Sequence, residues 1–189
     1  HQRDLAGFCR QVYRLIFTVP EFYVRKPLRL RDGHRLRQQF LAHLGVVSQV
    51  IGKRPGVNTI AAMNYLMLPG RSLFLCDTHV NENPSAQEIA EMTLMAAEQV
   101  KRFGSQPKIA LLSHSNFGSA SSESARKMSM AAGLISAMSA GELEVDGEMH
   151  GDSALNEAIR RQANPDCALK GEANLLVMPN IDAANISYI

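Results

Sequence analysis

Two kinds of apolar segment alternate along the chain from residue 46 onward. Short runs of consecutive apolar residues are typical of buried strands, and here they are Val46–Ile51, Thr59–Leu68, Ser72–Cys76, Lys108–Leu112, Leu143–Val145 and Leu175–Met178. Segments with apolar residues every three or four positions are typical of helices; they are Ser85–Phe103, Ser122–Met138, Ser153–Gln162 and one that begins near Asp182. This alternation predicts an α/β fold with a largely parallel sheet and helices on both faces.

The first of these helices carries signals at both ends. Ser85 and Glu88 have the spacing of a capping box, and Gly104 follows the last apolar position. Basic Lys101 and Arg102 lie near the carboxyl end, where they complement the helix dipole. Upstream, Pro69-Gly70-Arg71 separates two apolar runs, which predicts an antiparallel hairpin added to the sheet.

Polar segments follow three of the predicted strands: Ser113–Ser119, Asp146–His150 and Pro179–Asn185. The carboxyl ends of parallel strands lie at one edge of a sheet, so we expect the three segments to converge. Hydroxyls and free backbone N–H groups before a helix suit a phosphate or another anion, although the same residue types also form ordinary turns. The candidate ligand-binding residues are Ser113, Ser115, Asn116, Gly118 and Ser119 as donors, Asp146 and Asn180 at the same edge, and Asn185 on the following helix.

Other chemistries for these segments are less well supported. Asp146, Glu148 and Asp152 do not have the spacing of a calcium loop, so no metal site is expected, and Asp152 or Ser153 is expected to cap the next helix. Ser113 or Ser115 could act as a nucleophile with His114 or His150 as the base. However, neither serine lies in the G-x-S-x-G motif that surrounds such a nucleophile in serine hydrolases. The chain contains neither G-x-G-x-x-G nor G-x-x-x-x-G-K-[ST], which argues against dinucleotide and P-loop binding.

Composition is that of an ordinary globular protein, with 46% hydrophobic and 20% charged residues. No apolar run approaches the roughly 18 residues that cross a bilayer, and residues 1–20 lack the pattern of a signal peptide. Cys9, Cys76 and Cys167 form neither a metal spacing nor a disulfide framework, which favours the reducing cytoplasm. Cys76 lies in an apolar run and is expected in the core.

Charge is distributed unevenly. Residues 1–40 contain nine Lys and Arg against three Asp and Glu, a net charge of +6, whereas residues 41–189 contain eleven against fifteen, a net charge of −4. The arginines of residues 25–37 lack interleaved aromatic residues and helical periodicity, so neither nucleic acid nor a membrane is the expected partner.

Several segments together resemble the phosphate acetyltransferases, and most of all the phosphotransacetylase-like C-terminal region of bacterial NADP-dependent malic enzymes. The matching segments are Ile51–Val57, Asp77–Pro84, Ala110–Ser119, Asp146–Asp152, Leu169–Asn174, Met178–Asn180 and Ala184–Tyr188. Ser-His-Ser-Asn-Phe-Gly-Ser and Asp-Gly-Glu-Met-His-Gly-Asp resemble the malic-enzyme branch, whereas free-standing transferases typically have Ser-x-Ser-Thr-x-Gly-Ser and Asp-Gly-Glu-x-Gln there.

The resemblance implies an isocitrate-dehydrogenase-like α/β fold with a cleft between two domains, of which this chain holds an incomplete part. It implies acetyl-CoA or acetyl phosphate as the ligand, and no other cofactor in this chain. In a full-length malic enzyme it implies an N-terminal malic-enzyme domain, NADP, a divalent metal, conversion of malate to pyruvate and CO₂, and a homo-oligomer.

Two departures from the transferase pattern predict regulation rather than catalysis. Gly45 and Val46 stand where the transferases carry an Arg-Pro pair, and the sequence ends at Ile189, before their Ser-Arg-Gly segment. No residue of this chain is therefore expected to be catalytic, and acetyl-CoA is expected to act as a regulator. Two alternatives stay open: a truncated active phosphate acetyltransferase, and a structural or oligomerisation module without a ligand.

Residues 1–32 form a basic arm that does not match the family, and residues 33–189 form the partial phosphotransacetylase-like domain. Asp32-Gly33-His34 is where the resemblance is expected to begin. A reading-frame shift or a mis-assigned gene start would explain the composition of the arm, and resequencing the coding DNA tests this hypothesis.

Overall fold

The computed structural model describes residues 11–16, 23–25 and 57–188. Its strands are β1 (Gln11–Ile16), β2 (Tyr23–Arg25), β3 (Ala62–Leu68), β4 (Arg71–Cys76), β5 (Lys108–Leu112), β6 (Glu144–Met149) and β7 (Leu175–Val177). Its helices are α1 (Ala86–Arg102), α2 (Glu123–Met138), α3 (Gly151–Leu155), α4 (Glu157–Ala163) and α5 (Ile181–Tyr188). The predicted strand at Val46–Ile51, residues Gly45 and Val46, and the stretch Asp32-Gly33-His34 lie outside the described residues.

The strands of the described residues form a seven-stranded sheet with the order β2-β1-β3-β4-β7-β5-β6. Strands β4, β7, β5 and β6 are parallel to one another, and the predicted hairpin of β3 and β4 is antiparallel. The prediction of an α/β fold is confirmed, and the antiparallel part is larger than one hairpin, because β1 pairs antiparallel with both β2 and β3. Both of these added strands come from the basic arm.

Alternate residues of the central strands supply two separate cores. Phe74, Ile109, Leu111 and Val177 face α1 and α2 in the larger core, which includes Ile89 and Met128 of those helices. The intervening strand residues face the opposite side, where they pack with the short helices; they are Leu75, Ala110 and Leu176, together with Ala154 of α3 and Ala184 of α5. Helices therefore cover both faces of the parallel strands, as the pattern predicts.

Helix α1 forms as predicted, with its capping box complete. The backbone N–H of Ser85 donates to Glu88 Oε2 at 2.8 Å, and the Ser85 hydroxyl accepts the Glu88 N–H at 3.3 Å. Hydrogen bonds from Ser85 lower the pKa of the Glu88 carboxyl. Beyond the helix, Gly104 has a φ of 78°, the left-handed conformation that glycine adopts at a helix end.

Two predicted boundaries are wrong. Strand β6 continues to Met149, because the chain passes Gly147 with a φ of 140° and Met149 then pairs with Leu112 of β5. The single helix predicted over Ser153–Gln162 is instead α3 and α4, separated at Asn156, whose extended backbone interrupts the helix. The Asn156 side chain accepts the N–H groups of the first turn of α4. The expected capping by Asp152 or Ser153 is wrong, because α3 begins at Gly151, ahead of both residues, and has no side-chain cap.

Cys76 is fully buried at the end of β4, as predicted, and burial together with the charge of Asp77 raises the pKa of its thiol. Among the helices of the described part, none combines the length and the apolar character needed to cross a lipid bilayer.

Candidate functional site

Three loops and the start of α3 meet at the carboxyl edge of the parallel strands, by which we mean the edge formed by the ends of β4, β7, β5 and β6. Because neighbouring strands of this group are parallel, the residues that follow them lie side by side. We call residues 113–120, the first part of the connection from β5 to α2, the Ser-rich loop. The loops after β4 and β7 are residues 77–85 and 178–180, and β6 is followed directly by α3.

The hydroxyls of the Ser-rich loop hold the loop's own backbone. Ser113 Oγ accepts the N–H of Ser115 at 3.1 Å, and Ser119 Oγ accepts the N–H of Asn116 at 2.8 Å. Ser115 Oγ accepts the N–H of Ala120 at 3.0 Å. Each serine thus satisfies a backbone donor that the loop leaves outside the sheet, and the predicted ligand donors are in the first place the groups that shape the loop.

A buried carboxylate, Glu148, lies under the Ser-rich loop. Glu148 Oε1 accepts the Ser115 hydroxyl at 2.7 Å and the Gly118 N–H at 2.7 Å. Its backbone carbonyl accepts the Phe117 N–H at 2.8 Å, and Ser115 is fully buried beside it. Burial by itself raises the pKa of Glu148, but the hydrogen bonds from Ser115 and Gly118 outweigh it and leave the pKa below its usual value. Glu148 is therefore a charged anchor for the loop.

The bend at the tip of the loop depends on two left-handed residues. Phe117 and Gly118 have φ values of 49° and 84°. This conformation costs glycine little but is uncommon for other residues, and it turns the Gly118 N–H inward, toward Glu148. Gly118 itself and Ser119 stay exposed at the surface.

Asn116 and His150 connect the Ser-rich loop to the end of β6. Asn116 Nδ2 donates to Ser153 Oγ at 3.1 Å, and Asn116 Oδ1 accepts the His150 N–H at 3.3 Å. His150 Nε2 lies 2.9 Å from the carbonyl oxygen of His114. The Ser-rich loop and the predicted segment 146–150 therefore converge.

The third predicted segment faces the loop after β4. Asn180 Oδ1 accepts the N–H of Ala183 at 2.8 Å and so caps α5, while Asn185 Nδ2 donates to the carbonyl of Thr78 at 3.1 Å. Lys127 of α2 connects this side to the rest of the edge, because its Nζ donates to Asn83 Oδ1 at 2.7 Å and to the Pro179 carbonyl at 2.8 Å.

The loop after β4 is organised by a second buried carboxylate. Asp77 Oδ1 accepts the N–H groups of Ala62 and His79, and Asp77 Oδ2 accepts the backbone and side-chain N–H groups of Asn81. Desolvation raises the pKa of Asp77 although these hydrogen bonds act in the opposite direction. The sequence points to this loop only through the resemblance at Asp77–Pro84.

Asp146 is the one predicted site residue that the structure places away from the carboxyl edge. It pairs with Ala110 in the middle of β6, and its Oδ2 accepts the N–H groups of Ala168 at 2.7 Å and Leu169 at 3.5 Å. Its carboxylate fastens the segment that precedes β7, while Glu148, two residues later, faces the Ser-rich loop.

Neither of the less well supported chemistries has a matching cluster in the described part of the chain. No group of three His, Cys, Asp or Glu there is arranged to hold a metal ion. The His114 ring lies 3.2 Å from the Ser122 hydroxyl, the His150 ring contacts a carbonyl, and neither ring is hydrogen-bonded to the hydroxyl of Ser113 or Ser115. At this edge Ser119 is exposed and Lys127 is half-buried, and a hydroxyl and an amine suit a polar, anionic ligand.

Comparisons with known proteins give two groups of relatives. Over 146 residues the chain is 58% identical to an NADP-dependent malic enzyme of Escherichia coli, a match that covers 77% of this chain and 19% of the relative. A phosphate acetyltransferase of Paracoccus denitrificans is 39% identical over 148 residues, covering 74% of this chain and 46% of the relative. The chain thus spans about a fifth of the malic enzymes that it matches.

The fold comparison leads to the same family. A phosphotransacetylase from Streptococcus pyogenes has a TM-score of 0.72 and 31% identity, with 77% of this chain and 44% of that chain covered. The phosphate acetyl/butaryl transferase family model matches residues 37–189. The chain therefore belongs to the phosphate acetyl/butaryl transferase family, in a form related to part of the NADP-dependent malic enzymes.

Proposed function

We propose that the carboxyl edge binds acetyl-CoA and that the chain acts as the regulatory region of an NADP-dependent malic enzyme. The observation that carries this proposal is the Ser-rich loop, which is built around Glu148 at the carboxyl edge. In α/β sheets this edge is where ligands bind. The exposed Ser119 hydroxyl and the half-buried Lys127 amine at the same edge suit the phosphates of a CoA ester.

Regulation is preferred over catalysis for two reasons. Identity to the malic enzyme is 58%, against 39% to the free-standing phosphate acetyltransferase over a similar length. In addition, the resemblance puts Gly45 and Val46 where the transferases carry an Arg-Pro pair.

In the whole protein, we expect a separate malic-enzyme domain to convert malate to pyruvate and CO₂ with NADP and a divalent metal. Acetyl-CoA bound at the carboxyl edge would change the activity of that domain, in a cytoplasmic homo-oligomer. The second candidate function, phosphate acetyl transfer, is favoured by the likeness to the phosphotransacetylases of known structure.

Two assays on the full-length protein separate these functions. One measures acetyl-CoA binding by isothermal titration, and the other follows formation of acetyl-CoA from acetyl phosphate and CoA. Binding without turnover supports the regulatory proposal, and turnover supports the transferase. Absence of both supports a structural module and contradicts the proposal.

A further inference from the structure

Lys127 holds three parts of the carboxyl edge together. From the second turn of α2, its Nζ donates to the side chain of Asn83 in the loop after β4 and to the carbonyl of Pro179 in the loop after β7. The side chain is half-buried, so it is packed among these loops and still in contact with solvent.

The surroundings of Lys127 make its amine easier to deprotonate than that of an exposed lysine. Both of its hydrogen-bond acceptors are uncharged, and in the described part of the chain no carboxylate oxygen lies within 4.0 Å of its Nζ. Burial lowers the pKa of the Lys127 amine, and the charge of Glu123, one turn earlier on α2, offsets this in part. A lysine amine with a lowered pKa is a better nucleophile at neutral pH.

The hydrogen bonds also orient the reactive electron pair. Once deprotonated, the amine has two N–H groups, and both have an acceptor in place, Asn83 Oδ1 at 2.7 Å and the Pro179 carbonyl at 2.8 Å. In a tetrahedral amine the lone pair then points away from both acceptors. The two hydrogen bonds therefore fix the amine and direct the lone pair of its deprotonated form, at the edge where a CoA ester is proposed to bind.

We propose that Lys127 is a site of self-acylation by an acyl-CoA thioester bound at the carboxyl edge, an inference that rests on the proposed function. Nζ attacks the thioester carbonyl carbon, a C–N bond forms and the C–S bond breaks. The amine proton passes to the departing thiolate through solvent. The products are Nε-acyl-lysine and free CoA thiol, and no oxidant or reductant takes part.

Acylation would change the edge itself. An acyl-lysine has no charge and a single N–H, so it can keep only one of the two hydrogen bonds to Asn83 and Pro179. The connection between α2 and the neighbouring loops would weaken, and affinity for acetyl-CoA would fall. The modification would thus limit the response to a sustained supply of acetyl-CoA.

Lys108 is a matched control within the same chain. It is also half-buried and its Nζ donates to the carbonyl of Lys170 at 2.7 Å, but it lies at the amino end of β5, away from the proposed site. Full-length protein is incubated with acetyl-CoA, and acetylation of both lysines is followed by peptide mass spectrometry. We expect Lys127 to react at least about tenfold faster than Lys108 because binding holds the thioester near its amine.

Free CoA tests whether proximity is the cause. Added CoA should slow acetylation of Lys127 and leave that of Lys108 unchanged, and the Lys127→Gln variant should bind acetyl-CoA more weakly than Lys127→Arg. Equal rates for the two lysines, or no effect of CoA, would overturn the inference. Isothermal titration of acetyl-CoA then shows which claim has failed. If acetyl-CoA still binds, only the self-acylation of Lys127 is wrong. If it does not bind, the proposed function is wrong as well.

Discussion

Glu148 explains at the scale of one residue why the Ser-rich loop has its shape. Glu148 is 3% exposed, and its carboxylate accepts hydrogen bonds from Ser115 and Gly118, which are stronger for a charged acceptor than for a neutral one. The neutral variant Glu148→Gln should therefore lower the free energy of unfolding at neutral pH by about 1–2 kcal/mol. The exposed Glu142→Gln is the control and should have no measurable effect.

The pH dependence of that stabilisation has a defined sign. The folded-state pKa of Glu148 lies below its unfolded-state value, which is about 4.3 for a glutamate. Its contribution is complete well above the unfolded pKa and is lost as pH falls through the folded pKa. Urea unfolding across acidic pH should thus show a smaller loss of stability in Glu148→Gln than in the wild type, and parallel losses would contradict this role.

Gly147 occupies a position where any residue with a side chain would be strained. Its φ is 140°, and a Cβ there would lie 2.7 Å from the Leu111 carbonyl oxygen and 2.9 Å from Leu111 Cβ. We expect Gly147→Ala to destabilise the protein by more than about 2 kcal/mol. Gly133→Ala on α2 has open space around the new methyl group and should stabilise the protein by about 0.5–1 kcal/mol. Denaturant unfolding of the two variants measures whether the free energy of unfolding falls in the first and rises in the second.

At the scale of elements, α3 and α4 depend on a buried cation. Arg160 of α4 is fully buried, and its guanidinium donates to carbonyls at the end of α3 and in the segment before β7; they belong to Ser153, Ala154, Leu169 and Gly171. Since Asn116 in turn donates to Ser153, the position of α3 bears on the Ser-rich loop.

A lysine cannot reproduce the planar, forked donor geometry of Arg160. We expect Arg160→Lys to lower the free energy of unfolding by about 3 kcal/mol or more, because buried carbonyls lose their donors. Arg161→Lys, in the exposed ion pair with Glu157, should change it by less than about 0.5 kcal/mol. Comparable effects of the two substitutions would show that Arg160 does not hold these elements together.

Elements with local signals were predictable, and those fixed by distant partners were not. The capping box of α1 and the apolar runs of β5 and β7 are encoded within a few residues. The division of α3 from α4 was missed because Asn156 stands in an otherwise helical pattern, and only the structure shows its side chain capping the second helix. Arg160 was missed for a similar reason, since its carbonyl partners come from another segment.

Over the whole molecule, parallel topology made the candidate site partly predictable. Because parallel strands end at one edge, the sequence predicts that Ser113–Ser119, Asp146–His150 and Pro179–Asn185 converge, and His150 does contact the Ser-rich loop. The rule does not predict individual side-chain contacts between distant positions: Glu148 lies 33 positions from Ser115, and Lys127 lies 52 positions from Pro179. The rule also could not tell that Asp146 faces the segment before β7 while Glu148 faces the loop.

The most direct test of acetyl-CoA binding at the carboxyl edge introduces a negative charge there, the same sign as the charge of the ligand's phosphates. Ser119 is exposed on the Ser-rich loop, and Ser136 is exposed in the last turn of α2, well along the helix from that loop. Isothermal titration of acetyl-CoA into full-length Ser119→Glu should show at least about tenfold weaker binding than the wild type, because the new carboxylate repels the ligand's phosphates. Ser136→Glu should bind as the wild type does. Equal affinity in all three proteins, with the fold intact, would contradict acetyl-CoA binding at this edge.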